Sequence, residues 1–187
     1  MAASLRPEFE AALRYFARAS GALTSQGFDA PILVGGAAVE LFTRSAVATG
    51  DFDISTARQD AFEEALRGLG FVKPTGAGQA TRGWVHPDLK LGFEVVSSTL
   101  LGGLADRDRV ALIDLGPDGI AAITSVEDII ADRMGQYASG SAPEMLGQAC
   151  RLLGLYDDVD RDYLDRRVRE ETSGDHGIDD IKEADPA

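Results

Sequence analysis

Leu33-Val-Gly-Gly-Ala-Ala-Val-Glu-Leu-Phe42 and, after a loop, Thr49-Gly-Asp-Phe-Asp-Ile-Ser55 decide the fold. Pro31-Ile-Leu-Val34 reads as a short apolar strand that runs into Gly35-Gly36, with a helix from Ala37 to about Arg44. Glycines at a strand-to-helix turn leave backbone N–H groups open with no Cβ in front of them. The positive end of the helix dipole adds to the attraction for a phosphate. Asp51-Phe-Asp-Ile-Ser55 alternates like a half-buried strand. Asp51 and Asp53 therefore leave one face while Phe52 and Ile54 enter the core. Two carboxylates projecting together repel one another unless a cation joins them. Such a pair is a hard-oxygen site for Mg²⁺, or Mn²⁺, when a triphosphate supplies the remaining ligands.

The surrounding chain alternates strands and helices for about 124 residues and then turns helical. A helical stripe of Phe9, Leu13, Phe16 and Leu23 precedes the first strand, and a helix from Thr56 to about Leu69 follows the second. Lys73–Arg82 is a Gly-rich loop without the Lys-Ser/Thr ending of a Walker loop. Strands are expected at Gly83–His86, Leu89–Ser97, Val110–Leu115 and Ile120–Ile123. Ser125-x-x-Asp128 opens a helix as a capping box, and Pro143–Tyr156 and Asp160–Glu171 suit two more.

Of the 187 residues 31 are acidic and 18 basic, for a net charge of −13. From Glu170 onward seven acids face Lys182 alone, a net −6 that leaves −7 to residues 1–169. Such a surface repels a phosphate backbone, so nucleic acid is disfavoured as a partner. The Arg161–Arg169 cluster alternates with acids and reads as a salt-bridged helix face. The apolar runs are far shorter than the roughly 20 residues of a membrane span. The first ten residues carry two glutamates and no secretory core, and the lone Cys150 reads as a small core filler, so the expected location is cytoplasmic. The acidic end from residue 173 holds only Ile178 and Ile181 as sizeable apolar groups, and is expected to stay disordered.

Val34, Gly35-Gly36 and Asp51-Phe52-Asp53 together resemble the signature of the nucleotidyltransferase superfamily with the DNA polymerase β-like palm. Gly35-Gly-Ala-Ala-Val and Thr49-Gly-Asp-Phe-Asp are similar to the small bacterial group that includes abortive-infection toxins, as is Val126-Glu-Asp-Ile-Ile-Ala-Asp-Arg133. The resemblance spans about residues 30–155. It implies an α/β fold, a nucleotidyltransferase-type mixed sheet flanked by helices with a helical C-terminal extension. The division would be a palm-like core over 1–124, helices packed on it over 125–172 and an acidic tail over 173–187. It further implies a third carboxylate on a neighbouring strand, for which Glu94 in Lys90-Leu-Gly-Phe-Glu-Val-Val is the candidate beside Asp88 and Asp114.

Asp51, Asp53 and Glu94 would then be both catalytic and metal-binding, with Gly35, Gly36, Arg44 and Thr49 toward the nucleotide. Arg82 and Trp84 are candidates for a phosphate clamp and a base stack, against a packing role for the tryptophan. The implied activity is metal-dependent transfer of a nucleoside monophosphate from a nucleoside triphosphate to an acceptor hydroxyl, on a small molecule or protein. Two departures stand out. Val47 lies where relatives often carry an arginine, which leaves Arg44 as the stand-in. Arg133 stands near a usual lysine, with Glu144 or Gln148 in place of a following aspartate. They motivate the alternative, an inactive nucleotidyltransferase-fold binding or regulatory protein with a partner protein, as in a toxin–antitoxin pair.

Overall fold

A computed structural model describes residues 5–74, 83–89 and 91–183, the side chains of Lys182 and Glu183 excepted. Arg82, most of the Gly-rich loop and residues 184–187 lie outside the described residues. The element order is α1 (Pro7–Thr24), β1 (Ile32–Val34), α2 (Gly35–Phe42), β2 (Asp51–Ser55), α3 (Gln59–Gly68), β3 (Trp84–Val85), β4 (Gly92–Ser97), β5 (Ala111–Asp114), β6 (Ile120–Ile123), α4 (Val126–Ala138), α5 (Met145–Leu155), α6 (Arg161–Glu171) and α7 (Ile178–Glu183). The strands form one mixed sheet in the order β3-β4-β2-β1-β6-β5. β1 runs antiparallel to β2 and parallel to β6, and β2 runs parallel to β4.

Alternation gives the sheet two unlike faces. Leu33, Phe52, Ile54, Phe93, Ala121 and Ile123 point into the main core, where they meet Phe9, Phe16 and Leu23 of α1 and Phe62 of α3. The Phe52 and Phe93 rings stack across β2 and β4 at 4.9 Å and 3°. Ile32, Val34 and Ala122 form a smaller cluster with Leu100 on the opposite face. Asp53 pairs with Val34 across one ladder and with Glu94 across the other, so both acids stand on this second face.

Several boundaries differ from those expected. α2 takes in both glycines because nothing in the strand ladder holds them. The helix expected from Thr56 starts at Gln59, because the Thr56 hydroxyl accepts the Arg58 N–H (3.2 Å) in a turn first. Strands β3 and β4 are shorter because His86 closes a turn between them: its carbonyl accepts from Leu89 N and its Nδ1 from Asp88 N. Trp84 is 6% exposed within the core and takes the packing role. Among the described residues no helix is long and apolar enough to cross a membrane.

α4 packs against α5 and α6 and also touches α2. Ser125 caps it, accepting from Asp128 N at 3.0 Å. The Asp128 side chain closes no box onto the backbone. It accepts from Ser125 Oγ (2.7 Å), Tyr163 OH (3.0 Å) and Arg167 Nε (2.7 Å) in a fully buried cluster. On α6, Arg166 pairs with Glu170 and Arg169 with Asp165, the laced face its sequence suggests.

Within the acidic end expected to stay disordered, Ile178–Glu183 form the short helix α7. Ile178 and Ile181 fall on one side of that helix and are 8% and 1% exposed, against α5 and α6. The Ile178 N–H is held by Asp165 (3.0 Å), and the Cys150 thiol donates to the Ile181 carbonyl (3.1 Å). Two apolar residues suffice here because a ready groove receives them and Asp180 accepts from Gly177 N to start the turn. Truncation after Thr172 is therefore expected to cost about 1–2 kcal/mol once ordering entropy is set against two buried isoleucines. The melting temperature should fall by roughly 2–8 °C. A melt unchanged within a degree would show that α7 contributes no net stability.

Candidate active site

The β1–α2 turn positions the centre of the site. Gly35 has φ +62°, the left-handed region that a Cβ disfavours, and a Cβ built there would run into Asp53 Oδ2. The Asp53 carboxylate thus lies directly over bare backbone at the start of α2. That helix has no side-chain cap, so its first N–H groups carry the positive end of the dipole. A Cβ on Gly36 would stand 2.6 Å from Thr49 Oγ1, so the hydroxyl leans over the second glycine in the same way.

Three acids share this space. Asp51 and Asp53 leave one face of β2, and Glu94 is the register partner of Asp53 on β4. Burial first, and then the charges of Asp51 and Glu94, push the Asp53 carboxyl up to about 6; Arg133 opposes the shift and Asp132 adds to it. Both of the last two belong to α4, so that helix also faces the site. Arg133 is 6% exposed, donates to Asp132 Oδ2 (2.6 Å) and reaches Met145 Sδ (3.4 Å). Of the other residues weighed at these positions, Glu144 is exposed before α5, and Gln148 Oε1 is buried with no hydrogen-bond partner among the described residues. Asp114 accepts from Gly116 N in its own turn on β5, and Asp88 is exposed.

A carboxylate crowded by neighbouring acids is what a hard divalent cation relieves. The set Asp51, Asp53 and Glu94 fits such an ion in donor type and charge. Among the described residues no group of three or more His, Cys, Asp or Glu side chains stands at metal-holding spacing.

The loop between α2 and β2 holds a feature the sequence did not disclose. Glu40, fully buried on α2, accepts from Arg6 Nε (2.5 Å), Arg6 Nη2 (2.9 Å), Ser45 Oγ (2.8 Å) and Thr49 N (2.6 Å). Burial alone would raise its carboxyl; the bonds from Arg6, Thr49 and Ser45 outweigh that and hold it below its usual range. Arg44 is exposed on this loop, and the arginine that reaches Thr49 is Arg6, whose Nη2 donates to the Thr49 carbonyl (2.5 Å). The one available signal was a lone acid inside the apolar helix Gly35–Phe42.

No family model and no curated protein matches the chain. Among solved structures it is similar to the solution structure of the antibiotic-resistance factor ANT(2'')-Ia, an aminoglycoside nucleotidyltransferase described as showing substrate-regulated conformation dynamics. The match has a TM-score of 0.54 and 14% identity, and covers 88% of this chain and 92% of that one. The fold is nucleotidyltransferase-like. At that identity the likeness speaks for the architecture, a six-stranded mixed sheet flanked by helices. The roles of individual residues rest on the geometry above.

Proposed function

We propose that the protein is a metal-dependent nucleotidyltransferase that moves a nucleoside monophosphate from a nucleoside triphosphate to an acceptor hydroxyl. The observation that carries this reading is the placing of Asp53, between Asp51 and Glu94, directly over the bare glycine backbone that opens α2. The fold shared with a nucleotidyltransferase supports it.

Asp51, Asp53 and Glu94 would hold Mg²⁺ or Mn²⁺, which neutralises phosphate charge and steadies the attacking and departing oxygens. The Gly35 and Gly36 N–H groups and the α2 dipole face the triphosphate, with Thr49 beside them. Glu94 takes the proton of the acceptor hydroxyl as its oxygen bonds to the α-phosphorus. The bond from that phosphorus to the bridging oxygen breaks, and pyrophosphate leaves. A small molecule or a protein, in the cytoplasm, is the acceptor class that a chain of net charge −13 favours over RNA.

Purified protein incubated with each α-labelled triphosphate, Mg²⁺ or Mn²⁺ and a cell extract should transfer label to one product and release pyrophosphate. Ligand binding without label transfer would leave the inactive, regulatory reading in its place. For the acceptor class, binding to unstructured RNA should be weak even at low salt. Tight binding that falls tenfold or more between about 50 and 200 mM salt would refute it.

A further inference from the structure

Thr49 is gripped on both sides of its backbone: Glu40 accepts its N–H at 2.6 Å and Arg6 donates to its carbonyl at 2.5 Å. The two gripping side chains are bound to each other through two hydrogen bonds, Nε to Oε1 and Nη2 to Oε2. Ser45 completes the unit. Its hydroxyl donates to Glu40 Oε1 (2.8 Å) and accepts from Arg6 N (3.0 Å). Glu40 is closed to solvent, whereas the Arg6 side chain is 29% exposed.

The loop held in this way is strained. Arg44 and Ser45 sit consecutively at φ +50° and +62°, where side-chain-bearing residues are disfavoured. Such a backbone persists only where surrounding contacts fix it. Its far end delivers Thr49, which leans over Gly36 and donates to the Asp51 carbonyl (3.2 Å) two residues before Asp53. A planar fork on a buried carboxylate is a geometry that lysine does not reproduce. We propose that Glu40 and Arg6 are positioning residues for the nucleotide: they clamp the α2–β2 loop and thereby set Thr49 against the glycine turn.

This rests on the nucleotidyl-transfer reading, since it places the loop where the triphosphate would lie. It also makes Arg6, the residue just ahead of α1, part of the site. Neither residue touches the reacting atoms, so loosening the clamp should tell on nucleotide binding before it tells on chemistry.

Arg6→Ala is the main variant; it strips the buried Glu40 of its cation, so its fold is confirmed by melting first. Glu40→Gln, which keeps the volume, is the second. Hydrogen exchange of the ligand-free protein should show the amides of residues 44–50 speeding up at least tenfold in Arg6→Ala, with those of α1 and α6 unchanged. With Mg²⁺ and the triphosphate that wild type uses, KM should rise about tenfold while kcat stays within threefold, and low-millimolar guanidinium should restore KM. Unchanged exchange over 44–50 would overturn the clamp, as would faster exchange with an unaltered KM. A wild type without turnover or ligand-induced stabilisation would instead overturn the transferase reading, while the exchange arm still reads the clamp.

Discussion

Asp53→Asn is expected to cut nucleotidyl transfer by roughly 10²–10³-fold or more, while the ligand-free variant melts no lower than wild type. The two effects share one cause. In the ligand-free chain Asp53 is crowded by its own burial and by Asp51 and Glu94, and its carboxyl is held up to about 6. A carboxyl with a raised folded-state pKa binds its proton more tightly folded than unfolded. Its contribution to stability is therefore full below the unfolded value near 4 and is lost as pH rises through about 6. Asparagine carries no charge to repel. The variant should match wild type near pH 4 and exceed it by about 1–2 kcal/mol at pH 8, after allowing for solvent screening at a partly open site. Adding Mg²⁺ and triphosphate at a hundredfold excess over Kd should stabilise wild type by about 2.7 kcal/mol and leave the variant behind. Melts at several pH values, with and without ligand, test the crossover. A variant that is less stable than wild type in the ligand-free state at pH 8 would show a structural carboxylate instead.

Arg167→Ala should be among the most damaging single changes to stability, at about 3–5 kcal/mol. Its guanidinium is fully buried and reaches Asp128, Glu170 and Glu171. Removal leaves the buried Asp128 carboxylate with only the Ser125 and Tyr163 hydroxyls as donors. Replacing Arg167 with Met and Asp128 with Leu together removes both charges and should recover part of the loss. Denaturant melts of the single and double variants decide it; a single variant within 1 kcal/mol of wild type would refute it. The site would suffer with the scaffold, because α4 presents Asp132 and Arg133 toward Asp53 and is held to α6 by this pair.

Much of the framework was legible because local chemistry decides it. Strand β2 runs over Asp51–Ser55 as its alternation implied, β6 over Ile120–Ile123 where a strand was expected, and Ser125 caps α4 as its spacing implied. The strands put Asp51, Asp53 and Glu94 on one face because a period of two leaves no other choice once Phe52, Ile54 and Phe93 are buried. What escaped was bonding between distant segments. Glu40 finds Arg6 34 residues upstream, and Asp128 finds Arg167 39 residues downstream. A helical pattern reports that a position is polar, but not that a partner will arrive to bury it. α7 escaped for a related reason: sparse apolar content argues against a free-standing helix, yet the α5–α6 groove supplies the missing surface.

The thiol bonded to the last helix turns that groove into a built-in gauge. Cys150 is the one sulfhydryl in the chain, half-covered, with burial pushing its pKa up and its Sγ turned to the Ile181 carbonyl. A reagent that needs the thiolate should react more slowly while α7 is seated, because the seated helix covers part of the sulfur and holds its proton. Labelling at Cys150 therefore counts excursions of the C-terminal helix without disturbing the Asp53 end of the sheet, and each tenfold slowing corresponds to about 1.4 kcal/mol of docking. The molecule carries its own clock for partial opening, read by mass rather than by melting.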